Sequence, residues 1–188
     1  MGWTTTYRAK GQTHKEFFTQ EYAREDGFEV LDVAAGSIDR SNVYMALRLP
    51  RGVVIGVAYL TKWSPRSAYN FGWKDMDESM GPNISDMPER IYKLLSPLEE
   101  VYPDADFEAD SSPRWAKEWR QRVEAHHARM KNRPKLTTGV QVKLPYDLRT
   151  IKAGETFEVD DARRRIFKQG PYHRFKLTRS IVTDLELA

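Results

Sequence analysis

Val53-Val54-Ile55-Gly56-Val57-Ala58-Tyr59-Leu60 is apolar on both sides of the pleat, the pattern of a β-strand covered on both faces. Two further strand-like runs, 28–35 and 42–49, precede it, set off by Gly36-Ser37-Ile38-Asp39-Arg40-Ser41 and by Pro50-Arg51-Gly52. Connections this short predict an antiparallel three-stranded meander with 53–60 as its most buried strand. Upstream, Thr13 and Glu16 have capping-box spacing ahead of Phe17, Phe18 and Tyr22, and Asp26-Gly27 supplies a stop, so a short amphipathic helix leads into the meander. Downstream, Asp86 and Glu89 repeat the spacing, and Ile91, Leu94, Leu95 and Leu98 share one stripe, which predicts a packing helix that closes the unit.

Beyond it, residues 99–110 hold six acidic side chains and no basic one, with Pro103 in the middle, and read as a solvated linker. Ser112-Pro113 then opens a long helix on which Trp115, Trp119, Val123, His126 and Met130 recur every three or four residues. After Asn132-Arg133-Pro134 come five short alternating segments punctuated by Gly139, Gly154 and Gly170, which suggest a small SH3-like β-barrel. The expected class is α+β: an N-terminal helix, three-stranded meander and packing helix in 1–98, an acidic linker in 99–112, a connecting helix in 113–133 and a basic barrel-like module in 134–188.

Composition narrows the chemistry. The chain of 188 residues contains no cysteine, which excludes disulfides, thiolate nucleophiles and cysteine-ligated zinc. No apolar run reaches the roughly 18 residues of a membrane span, and Met1-Gly2-Trp3-Thr4 lacks the opening of a signal peptide. A cytoplasmic protein with no membrane partner is expected; nothing specifies its oligomeric state. The net charge of +3 hides an asymmetry: residues 114–188 carry 18 basic and 9 acidic side chains, net +9, whereas 1–113 carry a net −6. A basic half is an electrostatic footprint for a polyanion. Its counter-reading is a charge pattern that keeps faces soluble or docks the halves together.

Within that half, Arg163, Arg165, Lys168, Tyr172, Arg174, Lys176 and Arg179 form the candidate nucleic-acid-binding set, because cations hold phosphates and interleaved aromatics stack bases. On a strand, Arg163 and Arg165 share a face and Arg164 points away. The competing reading is a solvated edge that blocks strand-to-strand aggregation.

A second unusual segment is the expected loop 69–83, inside a longer one spanning 64–85. Tyr69, Phe71, Trp73 and Lys74 offer an aromatic, charged surface to a host protein complex. Asp75, Asp77 and Glu78 offer oxygen ligands to Mg²⁺, which would activate water for phosphodiester hydrolysis. Alternatively, these carboxylates cap a turn or pair with Lys74 and neighbouring arginines.

Tyr69-Asn70-Phe71-Gly72-Trp73-Lys74-Asp75-Met76-Asp77-Glu78-Ser79-Met80-Gly81-Pro82 resembles the signature of a family of small proteins from phages and integrative elements. The similarity extends to Met1-Gly2-Trp3, Pro88, the 91–98 segment and Ala116-Lys117-Glu118-Trp119-Arg120. The resemblance implies a mobile-element origin and assigns no activity, cofactor or catalytic residue. Cysteines common in that family are absent here.

Enzymatic motifs are scarce. Adjacent His126 and His127 point about 100° apart on a helix and cannot share a metal as an i, i+4 pair does; His126 reads as a packing residue. No nucleophile elbow, Walker loop or dinucleotide fingerprint occurs. The leading expectation is a non-enzymatic mobile-element accessory protein, without resident cofactor or metal, that binds nucleic acid non-specifically through the basic C-terminal surface. Two alternatives stand beside it: an anti-defence or regulatory factor acting on a host protein through 69–83, and a Mg²⁺-dependent nuclease or phosphodiesterase using Asp75, Asp77 and Glu78.

Overall fold

The computed structural model describes residues 4–7, 11–22, 27–63, 70–133 and 135–188, and the chain divides into two compact units, residues 1–126 and 127–188. It is a mixed α+β protein with two antiparallel sheets.

In the first unit, strand β1 (Thr4–Tyr7) precedes helix α1 (His14–Tyr22). Glu16 closes the expected capping box, accepting from the backbone N–H of Thr13 at 2.7 Å, and its carboxyl is held below the usual range by that bond and by the Thr13 hydroxyl. The meander follows as β2 (Glu29–Ala35), β3 (Asn42–Arg48) and β4 (Val54–Trp63). The segment 70–77, expected as loop, is instead strand β5 (Asn70–Asp77), paired with β4 and, on its other edge, with β1. The sheet is therefore five-stranded, in the order β1-β5-β4-β3-β2. Backbone pairing on both edges makes β5 a strand despite its glycine and two aspartates.

Both faces of this sheet are covered. Phe17 and Phe18 of α1 pack with Val43, Met45, Leu47, Val57 and Tyr59 on one face. Tyr44, Ala46, Val54 and Ala58 meet Met87, Ile91, Trp119 and Val123 on the other. The most continuously buried run is Val43–Leu47 of β3, not the middle strand β4, because Val43, Met45 and Leu47 pack in one core layer and Tyr44 and Ala46 in the other.

The expected 91–98 packing helix breaks into two single turns, α2 (Glu89–Tyr92) and α3 (Leu98–Val101). Ser96 stops it by docking on a strand: its N–H donates to the carbonyl of Val54 and its hydroxyl accepts from the Val54 N–H. The acidic stretch is likewise not all solvated, since Val101 is buried.

Helix α4 (Ser111–Asn132) starts two residues before the expected Pro113, and the unit boundary falls within it. Its buried face in the first unit is Ala116, Trp119, Arg120, Val123 and His126; Trp115, expected on that stripe, is 42% exposed. The face turns because Arg120 is drawn inward by a buried carboxylate.

The second unit is built of β6 (Gln141–Lys143), β7 (Thr156–Asp161), β8 (Ile166–Gln169), β9 (His173–Lys176), the single turn α5 (Arg179–Val182) and β10 (Glu186–Leu187). Its sheet order is β10-β6-β7-β8-β9. The expected barrel is not closed: among the described residues no pairing joins β9 to β10, and β9 remains a free edge. Val142, Phe157, Val159, Phe167, Leu177 and Leu185 fill the core, where Phe157 meets Phe167 and Phe175 edge-on at 5.5 and 5.2 Å. Among the described residues, no helix is long and apolar enough to cross a membrane.

Candidate nucleic-acid interface

The second unit brings five of its cations to one place. The turn between β7 and β8 starts at Asp161, whose carboxylate accepts from the Arg164 N–H at 2.9 Å and pairs with the Arg164 guanidinium at 3.7 Å. Arg165 then adopts the left-handed conformation, φ 58°, with its N–H bonded to the carbonyl of Ala162 at 3.3 Å and its own carbonyl bonded to the Leu177 N–H at 3.2 Å. A non-glycine residue held this way stores backbone strain of about 1–2 kcal/mol.

That turn aims Arg163 and Arg165 into a cavity of about 530 Å³. Arg179 from α5 lines it too, as do Arg133 and Lys135 from the segment after α4. Leu136, Ala162 and Val182 form an apolar part of its wall and pack against the unit's core. Five cationic side chains thus line one hollow with no carboxylate among the lining residues. The buried Nε–H of Arg165 has no hydrogen-bond partner. Like charges sharing a hollow repel, and an anion bound among them relieves that repulsion.

The seven residues expected from sequence do not share this site. Arg163, Arg165 and Arg179 line it, joined by Arg133 and Lys135, which the sequence reading missed. Lys168 and Arg174 line a second hollow, and both are engaged by carboxylates, Glu158 at 2.9 Å and Asp160 at 3.2 Å. Lys176 lines a third of about 340 Å³, beside His173 and Phe175. Tyr172, at the β8–β9 turn, is 96% exposed, an aromatic face open to stacking. Arg163 and Arg165 do meet, but across a turn and not along a strand face.

The 69–83 segment is committed elsewhere. Tyr69 lies outside the described residues, and Phe71 is a β5 position opposite Thr6 and Trp63. Trp73 is half-buried and packs edge-on to Phe18 and Tyr59 at 5.9 and 5.6 Å, so it belongs to the core and not to an exposed hot spot. Lys74 lies opposite Leu60 in the sheet.

Of the acidic trio, Asp75 is exposed in β5, and Asp77 caps the 3-10 turn Glu78–Met80 by accepting from the Ser79 N–H at 2.9 Å and the Ser79 hydroxyl at 2.5 Å. Glu78 is 1% exposed and clamped by Arg120. Burial pushes its carboxyl above the usual range while the guanidinium draws it back. Asp75 and Asp77 share one face of β5 while Glu78, in the turn that follows, is held in the interior by Arg120, and among the described residues no three His, Cys, Asp or Glu groups converge as a metal site would require.

One pairing the sequence did not suggest is Ser37 with His126, Oγ to Nε2 at 2.8 Å. The two backbone donors beside the serine, Ile38 N–H and Asp39 N–H, are held by Asp86 at 3.0 and 2.8 Å. The Ser37–His126 bond fastens the loop to the helix.

Comparison with protein-family models, with curated proteins and with solved structures yields no match to this chain.

Proposed function

We propose that this protein binds nucleic acid through phosphate contacts made by its second unit, without strong sequence preference and without catalysing a reaction. One observation carries the reading: Arg133, Lys135, Arg163, Arg165 and Arg179 surround a single hollow that contains no carboxylate. Phosphate contacts of this kind supply affinity but no base readout. Tyr172 adds a base-stacking face, which suits single strands. The resemblance of 69–82 to small phage and integrative-element proteins supports an accessory role in a mobile element, acting in the cytoplasm. The strand order β10-β6-β7-β8-β9, with a helical turn before the last strand, supports an SH3-like connectivity in an opened sheet.

The test is fluorescence anisotropy with single- and double-stranded DNA and RNA across a salt series. Affinity should fall linearly on a log–log plot, with a slope near −0.7 to −0.9 per phosphate contacted. Charge reversal at Arg163 and Arg179, both exposed, should abolish binding and leave the fold intact. Absent or salt-independent affinity overturns the reading.

A further inference from the structure

We infer that the arginine cavity recognises a terminal phosphate, a phosphomonoester dianion, and not only the diesters of a passing backbone. The inference rests on the nucleic-acid reading for the source of its ligand and deepens it by naming the group received.

Charge is the first argument. Arg133, Lys135, Arg163, Arg165 and Arg179 bring five positive charges to one hollow, uncompensated by any lining carboxylate. An internal phosphodiester carries a single negative charge, whereas a monoester carries about −1.5 to −2 near neutrality and presents three strong acceptor oxygens. Five converging cations answer the second ligand better than the first. Elsewhere in the unit the opposite arrangement occurs: Lys168, Arg174 and Arg164 are each matched to a carboxylate.

Shape is the second argument. A backbone tracked along a surface needs only a ridge or shallow groove of cations, as on a free strand edge. Here the cations line a concavity of about 530 Å³, room for a phosphate and part of the group it is attached to. Met130, Leu136, Ala162 and Val182 exclude water from part of its wall, which strengthens each charge-assisted bond made inside.

The third argument is Arg165. Its backbone is held in the left-handed region, at a cost to the fold, and that turn sets its side chain beside Arg163 in the lining of the hollow. Backbone strain at a residue that lines a cationic hollow fits a site organised before its ligand arrives.

The experiment uses the full chain and two short single-stranded oligonucleotides of one sequence, identical except for a 5′-phosphate or a 5′-hydroxyl, each labelled at its 3′ end. The phosphorylated strand should bind at least about tenfold more tightly, the worth of one additional charge-assisted bond. Arg165→Gly should erase the preference, weakening binding of the phosphorylated strand by several-fold more than that of the 5′-hydroxyl strand, and Arg179→Ala, an exposed change with little folding risk, should reduce it in the same direction. Free nucleoside monophosphate should compete the preference away. Equal affinity for the two strands overturns the terminal-phosphate inference and leaves backbone binding standing. If neither strand binds but nucleoside monophosphate does, the monoester site is supported with a free nucleotide as its ligand, and the nucleic-acid reading falls. If nothing binds, both fall.

Discussion

Arg120 and Glu78 face each other as a buried bidentate pair: Nε lies 2.9 Å from Oε2 and Nη2 lies 2.9 Å from Oε1, while Nη1 donates to the carbonyl of Ser96 at 2.6 Å. This clamp ties α4 to the turn after β5 and to the segment that ends at Ser96. Glu78→Gln leaves the guanidinium buried without its counter-charge and should cost about 3–5 kcal/mol. Replacing both together, Glu78→Leu with Arg120→Met, should cost far less or nothing. Urea denaturation of the two variants checks this, and a loss under about 1 kcal/mol for the single change would show that the pair holds little.

Trp73→Ala should behave as a core truncation, lowering stability by about 3 kcal/mol through lost contact with Phe18 and Tyr59, with nucleic-acid affinity unchanged. Thermal unfolding beside a pull-down distinguishes the two roles. A fully stable variant that has lost a protein partner would restore the interface reading of 69–83.

A Cβ on Gly36 would stand 2.3 Å from Oδ2 of Asp86 and 2.5 Å from the carbonyl of Asp39. Asp86 is the hub of that corner, accepting from Ile38, Asp39, Asn42 and, at 2.6 Å, the hydroxyl of Tyr44. Gly36→Ala should therefore cost about 3 kcal/mol, since the neighbours it strikes are a fixed carboxylate and backbone and not a yielding side-chain end. Equilibrium unfolding gives the answer directly.

Arg165→Gly should move stability and binding in opposite directions. Relief of the left-handed strain outweighs the added freedom of the unfolded chain, so the variant should be as stable as the parent or up to about 1 kcal/mol more so, while its binding weakens. A melting temperature that falls would mean that the guanidinium holds the turn and not a ligand.

Lys168→Ala and Arg174→Ala should each change nucleic-acid affinity by less than about twofold, because Glu158 and Asp160 already hold those cations. Arg163→Ala should instead lower affinity across all sequences and flatten the salt slope by about one unit. Titrations of the three variants at several salt concentrations rank them.

How legible each region was follows from how it is held. The meander could be read because its strands bury alternate or all side chains, so composition mirrors burial from Val30 to Leu60. Strand β5 could not: Asn70, Gly72, Asp75 and Asp77 carry no strand signal, and pairing with β4 and β1 makes the strand. The 91–98 stripe misled because Leu94 and Leu95 keep helical spacing while Ser96 bonds to Val54. At the candidate site, the arginine run at 163–165 stood out, yet which cations were free depended on partners on other strands, and Arg133 and Lys135 lie some thirty residues upstream of the turn they join.

Strand β10 pairs with β6, with Leu187 opposite Val142 and the Ala188 N–H on the carbonyl of Gln141, and Leu185 seals the core just before it. During synthesis, the first strand of the second unit must wait beside an empty edge until residues 185–188 leave the ribosome. Arg179 and Val182, which complete the cationic hollow, emerge only shortly before. The hollow therefore cannot assemble on the nascent chain until Arg179 and Val182 have followed Arg133, Lys135 and Arg163 out of the ribosome.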